Sequence, residues 1–316
     1  TGDSAAAWCV MTGSTTGLLS AYMNEQGATE LWTEQPEVIM AGVFAPMGKA
    51  TQVEGGYQLS GRWPFASGSD NATWRMGGAL IIENGRPKML PDGNPEILSL
   101  FFSDKDSELL DTWSVSGLCG TGSHDMTVKE IFVPTHRTAS LFTTKTKHQG
   151  PLYKFPLFGL LAHGINAVSM GIARAAIDEF VKLAKKKKGF GGRKGLAEQD
   201  LIQMEVAKAE ASLRSARAFV YETLESTWKT AQKGDITLQD RALLRMASTH
   251  ATQASAEAVD RMYHAGGGTS IYTTKSPLQK HFRDVHVATQ HIMVTQATMK
   301  TIGRALLGQG VKTNQL

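Results

Sequence analysis

Ser67, His163 and His291 carry side chains whose types could do chemistry. Ser67 stands in the run Trp63-Pro64-Phe65-Ala66-Ser67-Gly68. Its hydroxyl can donate a hydrogen bond to a ligand, or can serve only the turn chemistry that Ser67-Gly68-Ser69-Asp70-Asn71 suggests. An imidazole at His291 can tune a neighbouring charge or relay a proton, while a histidine satisfied within a helical core fits the same pattern. His286 precedes it by five residues and would point elsewhere on a shared helix. His163, in Leu161-Ala162-His163-Gly164, is a third candidate.

Other chemistries find no support. Cys9 and Cys119 cannot build a disulfide framework, and no cysteine–histidine spacing suits zinc. The chain has no Glu-x-x-His, the mark of a di-iron bundle, so no metal site is expected. Gly120-x-Gly122 and Gly189-x-Gly191 do not follow a strand inside a βαβ unit, which argues against a dinucleotide fold.

The elements that must position these residues follow from pattern. With 316 residues, 41% hydrophobic and 20% charged, the chain can bury a large core. A net charge of +4 does not call for nucleic acid, and the basic run Lys185–Lys188 suits a helix end. No apolar stretch is expected to span a membrane. Asp3 or Ser4 can cap a helix through Ala5–Leu19, and a short helix is expected from Asn24 to Trp32. Strand-like runs follow at Val38–Val43, Tyr57–Trp63, Ala79–Glu83, Leu98–Phe102 and Met126–Val133, with Glu54-Gly55-Gly56 as a hairpin turn. This is an antiparallel barrel or sandwich signature. Four helical periodicities come next: Ile165 to Leu183, Ile202 to Leu224, Leu244 to Met262, and Ala288, Ile292, Thr295, Met299, Ile302, Leu306. The expected fold class is α+β, with a helical remnant over 1–36, a central antiparallel β-domain over 37–140 and a C-terminal four-helix bundle over 150–316.

Three segments carry a resemblance. They are Gly42–Ala50 with Gly55–Gly68; Gly117-Leu118-Cys119-Gly120-Thr121-Gly122-Ser123 closing on Ile131–Pro134; and Gly266-Gly267-Gly268 with Pro277, Arg283-Asp284 and Gln290-His291. In order and spacing the chain resembles the acyl-CoA dehydrogenase superfamily, in its oxygen-using branch of flavin-dependent hydroxylases acting on 4-hydroxyphenylacetate and steroid phenols. The resemblance places a dehydrogenase's catalytic glutamate at Lys275 or near Leu161, and no Asp or Glu occurs in 151–177 or 262–283. It therefore implies the oxygenase component of a two-component monooxygenase, hydroxylating a small aromatic substrate with O₂ through a flavin C4a-hydroperoxide. The cofactor would be reduced FMN or FAD, supplied by a separate NAD(P)H-dependent flavin reductase.

By the same resemblance Ser67, His291 and His163 are the catalytic candidates, and Trp63, Phe65, Ala66, Ser67, Lys187, Phe190, Gly267 and Gln290 would bind the cofactor. The resemblance also implies a cytoplasmic homotetramer, a dimer of dimers, and a helical domain whose opening helices precede Thr1. A lysine at 187 departs from the family's arginine, and Cys119 from another. Ser14-Thr15-Thr16 offers only hydroxyls where some hydroxylases bind a phenol. An acyl-CoA dehydrogenase with its base elsewhere and a non-catalytic scaffold are the alternatives.

Overall fold

The computed structural model of the chain describes residues 6, 10, 17–141, 143, 146, 148–188, 194–311 and 316. These form two compact units. One holds the described residues from Val10 to Val115 with Cys119–Gln149; the other holds Gly150–Leu316 with Ser116–Leu118 and Ala6.

The first unit is a sheet of eight strands: β1 (Met40–Val53), β2 (Gly56–Trp63), β3 (Trp74–Glu83), β4 (Arg86–Pro87), β5 (Ile97–Ser103), β6 (Glu108–Leu110), β7 (Asp125–Pro134) and β8 (Thr138–Ala139). Their order is β6-β7-β2-β1-β3-β5-β8, with β4 on β3. Every pairing is antiparallel except β1 with β3, which is parallel and shifts register on either side of Pro46. Proline has no N–H to give to a ladder, so the pairing slips where it stands. The expected hairpin joins β1 to β2, with Gly55 in the left-handed region at φ 78° and Val53 facing Gly56.

Alternation along β5 feeds two cores. Leu98, Leu100 and Phe102 join Leu59, Trp63, Ile81 and Met126 on one face. Phe101 turns to the other, with Leu19, Leu31, Met40, Trp74 and Met76. That second face is covered by the helical turns Glu25–Ala28 and Thr29–Thr33, the first capped by Asn24, whose side chain accepts the Gly27 N–H at 2.7 Å. The helix expected over Ala5–Leu19 falls almost entirely outside the described residues.

The second unit is helical: α1 (Leu157–Lys186), α2 (Asp200–Lys233), α3 (Leu238–Gly266), α4 (Leu278–Thr289) and α5 (Ala297–Leu306). Thr237 caps α3 and trades hydrogen bonds with Asp240 in a capping box. Ala247, Ala251 and Ala254 let α3 lie close to Ala216 and Val220 of α2, while Ala258, Val259 and Met262 pack on Ile172, Ala176, Ile177 and Phe180 of α1. Contrary to the sequence expectation, α1 is long and apolar enough to cross a membrane by length and composition, although 44% of its apolar window is buried in the protein.

The fourth expected helix is broken. Between α4 and α5 the chain turns through residues 290–296; the His291 ring accepts the Met293 N–H at 3.2 Å, and the Thr298 hydroxyl donates to the Thr295 carbonyl. Side chains that bond the local backbone compete with helix in this way. Ile292, which the helical period places inside, is 73% exposed, while the out-of-period Val294 is fully buried.

Candidate functional site

In the sheet unit, Trp63 ends β2 and lies wholly buried, its indole N–H donating to the Gly78 carbonyl at 2.7 Å. The ring presses against Gly48, Gly61 and Gly77, where an added Cβ would stand 2.4, 2.6 and 2.5 Å from it. These three glycines are the cradle of one tryptophan. The side chain expected to bind a cofactor is therefore a core anchor that fixes where the next five residues emerge.

Those residues leave the strand sharply. Phe65 has φ 63°, a strained value for a residue with a side chain, and holds its ring 68% exposed and edge-on to Trp113 at 6.2 Å. Ala66 is buried and its N–H is spent on the His124 carbonyl, so the backbone donor expected of it is already committed. The Phe65 N–H has no acceptor among the described residues. Gly68, at φ 78°, ties back to the Thr121 carbonyl.

Ser67 is partly buried, and its Oγ lies 2.6 Å from Ser123 Oγ, which lies 2.7 Å from Thr121 Oγ1. Three hydroxyls in a row can order their protons head to tail. With Thr121 donating to Ser123 and Ser123 to Ser67, the Ser67 proton is released to donate outward, and each bond polarises the next. Sequence reasoning missed this backing, although Thr121-Gly122-Ser123 stood in view.

The helical unit gathers a second cluster. His163 of α1 accepts from the Asn166 side-chain amide at 3.2 Å, and the same amide donates to Ser248 Oγ of α3 at 2.8 Å. Burial pushes the His163 pKa down. His291 is reached by water but hemmed in by protein, and this desolvation, helped by the nearby charge of Arg245, pushes its pKa down to about 4. The ring is thus neutral near pH 7. Because Nδ1 accepts the Met293 N–H, the proton sits on Nε2, which makes His291 a fixed donor rather than a titrating relay. Arg245 itself is 4% exposed and makes no hydrogen bond or ion pair with any described residue.

The remaining candidates separate. His286 is bonded to Asp260 at 2.8 Å and its ring packs on Phe282, a structural assignment. Lys187 donates to the Gly266 carbonyl at 3.2 Å and to Thr269 Oγ1 at 3.1 Å, which brings it beside Gly267. Both line a cavity of about 730 Å³ whose charged lining has both signs, Glu205, Glu257 and Asp260 with Lys187 and Arg261. Gln290 is exposed and donates to Thr289 Oγ1. Phe190 lies outside the described residues. Lys275 is exposed, its ammonium 4.9 Å from the Tyr272 ring, and Leu161 is buried. Arg283 and Asp284 do not pair with each other: Arg283 donates to the Ser116 carbonyl and Asp284 accepts the Leu118 N–H, clamping that strand of chain to α4.

Comparison with known proteins follows this geometry. The family described as acyl-CoA dehydrogenase, C-terminal domain, matches residues 163–296. An indole-3-acetate monooxygenase of Pseudomonas putida is 33% identical over 308 residues, spanning 97% of this chain and 77% of that protein. The oxygenase component of an FADH₂-dependent resorcinol hydroxylase of Rhizobium sp. is 28% identical, spanning 95% and 78%. Among solved structures, the HsaA monooxygenase of M. tuberculosis superposes with a TM-score of 0.84 at 26% identity, covering 99% of this chain and 81% of that one.

Proposed function

Because this chain belongs to the flavin-dependent monooxygenase branch of the acyl-CoA dehydrogenase superfamily, we propose that it is an oxygenase component that hydroxylates a small aromatic substrate with O₂. The observation that carries this reading is kinship over 97% of the chain to an enzyme named as a monooxygenase. The donor set supports it. A reduced flavin presents electron-rich ring nitrogens and carbonyls, and the sheet unit offers donors for them in the Ser67 hydroxyl and the Phe65 N–H, which has no acceptor among the described residues. When bound, reduced flavin supplies the electrons that let O₂ deliver one oxygen atom to the ring.

The chain's own residues then have distinct tasks. Ser67, backed by Ser123 and Thr121, would donate its hydroxyl proton to a bound flavin near N5. Trp63, wedged on its three glycines, fixes the loop so that the hydroxyl does not wander. Phe65, exposed at its strained turn with its ring edge-on to Trp113, offers an apolar surface beside that hydroxyl for a bound ring. His291, neutral near pH 7, would offer its Nε2–H to the negative charge that a reduced flavin carries when bound. His163, held through Asn166 and Ser248, would meet substrate in this reading.

A separate NAD(P)H-dependent reductase delivers the flavin in this reading, as FMN or FAD, and the enzyme works as a cytoplasmic dimer of dimers. Anaerobic titration tests the first step: the protein binds reduced flavin more tightly than oxidised flavin. Equal affinity for both, with reduction of the bound flavin by an acyl-CoA, would return the dehydrogenase.

A further inference from the structure

We propose that Arg245, with Arg241 one turn before it on α3, binds the carboxylate of an acidic aromatic substrate. The inference rests on the oxygenase reading and names the class of molecule that its active site takes.

Arg245 is the reason. A guanidinium that is 4% exposed is expected to be paired, because leaving a charge buried and uncompensated is among the costliest arrangements in a folded protein. Here no described carboxylate lies in range, and Nε is buried with no acceptor. Burial alone acts on its pKa, drawing it down to about 10, still charged at neutral pH. Arg241, four residues earlier and so on the same face of α3, is half-buried and likewise has no ion pair with a described residue. Two desolvated cations stacked along one helix face, without an acid, make a site that an anion completes.

The surroundings say what kind of anion. One turn further along α3, Ser248 bonds Asn166, and Asn166 is fully buried with Oδ1 unpartnered. The guanidinium's charge reaches His291, the residue assigned to the flavin edge. An acid at Arg245 would therefore lie within the substrate's reach of the reacting ring. A planar carboxylate matches the guanidinium fork in two parallel hydrogen bonds, and Arg241 one turn away lends a second positive charge to the same group. The cation that the family pattern assigns to a flavin phosphate, Lys187, is far along the chain and tied to Gly266 and Thr269.

The test uses phenylacetate and its neutral isostere phenylacetamide as probes, with the whole chain and its Arg245→Met variant. Calorimetric titration should show phenylacetate binding weakened at least tenfold in Arg245→Met, with phenylacetamide unchanged. The variant should melt no lower than the parent, because a partnerless buried charge has been removed. Equal weakening of acid and amide would overturn the proposal, as would a lowered melting temperature, which marks Arg245 as structural. A loss of reduced-flavin affinity in the variant would assign the anion to the cofactor instead. Failure of the parent protein to bind phenylacetate, benzoate or 3-phenylpropionate would also overturn it. Reduced-flavin titration of the parent reports separately on the oxygenase reading, so the two can fail independently.

Discussion

Deleting one oxygen atom at Ser67 tests the hydroxyl chain most sharply. In Ser67→Ala, Ser123 keeps its 2.7 Å contact with Thr121, so no buried hydroxyl is orphaned. The stability loss should stay near the net value of one hydrogen bond, about 0.5–1.5 kcal/mol, a fall in Tm of roughly 1–6 °C. The functional loss should be larger. A donor aimed at developing charge in a dry site contributes about 1–3 kcal/mol, which corresponds to roughly 5- to 150-fold in the partition between hydroxylation and wasted oxidation. Ser123→Ala makes the control. It leaves Ser67 Oγ without its 2.6 Å partner and free to rotate, at a position only 4% exposed, so it should destabilise more and uncouple less. The assay supplies chemically reduced flavin without a reductase and counts hydroxylated product and hydrogen peroxide per flavin oxidised, beside thermal melts. A well-folded Ser67→Ala protein with the parent's ratio of peroxide to product would refute the reasoning.

Three further expectations bear on other parts of the molecule. Gly77→Ala places a Cβ 2.5 Å from the Trp63 ring, which its bond to Gly78 holds in place, and should destabilise by about 1–3 kcal/mol in denaturant titration. Glu30 accepts from Arg137 and His136, and the Arg137 hydrogen bonds hold its carboxyl below the usual range; the stability this contributes is present above about pH 4.3 and is lost as pH falls through the lowered pKa. Glu30→Gln should therefore lose about 1 kcal/mol at pH 7, allowing for the pair's partial exposure, and should flatten the acid limb of the melting profile. His291, pushed down to about 4, makes the parent lose stability as pH falls from about 6.5 towards 4; His291→Asn should remove that slope, worth about 1 kcal/mol once solvent screening is allowed for, as read by melts across pH.

Local chemistry was legible in sequence where it acts over a few residues. Gly55 marked its hairpin, Asn24 the start of its helical turn, and apolar steps of three and four residues marked α1, α2 and α3. Long-range pairing was not: nothing in the composition of β1 announces that it runs parallel to β3, since that depends on which strands meet. The break after α4 was hidden because Ile292 continues the helical period, and only the competition of the His291 ring and the Thr298 hydroxyl for nearby backbone groups undoes it. At the candidate site, Ser67 and His291 could be singled out only through the resemblance, since residue type alone fits a turn serine and a core histidine equally. Their settings could not, because the hydroxyl chain behind Ser67 and the charge beside His291 come from residues 56 and 46 positions away, respectively. Arg245 escaped notice because it sits one position off the alanine face of α3 and reads as an exposed cation until its burial is seen. The hydroxyls at Ser248, Thr252 and Ser255, spaced four and three apart, were a visible sign that this helix has a polar buried face.

The most direct measurement is the fate of labelled oxygen. The protein would be loaded anaerobically with reduced flavin and a phenolic or arylacetic substrate, mixed with ¹⁸O₂, and the products weighed by mass spectrometry. The account predicts one ¹⁸O atom in the hydroxylated ring, dependent on reduced flavin and on this protein. Reoxidation that yields only labelled hydrogen peroxide with every aromatic offered, while an acyl-CoA reduces the bound flavin, would contradict it.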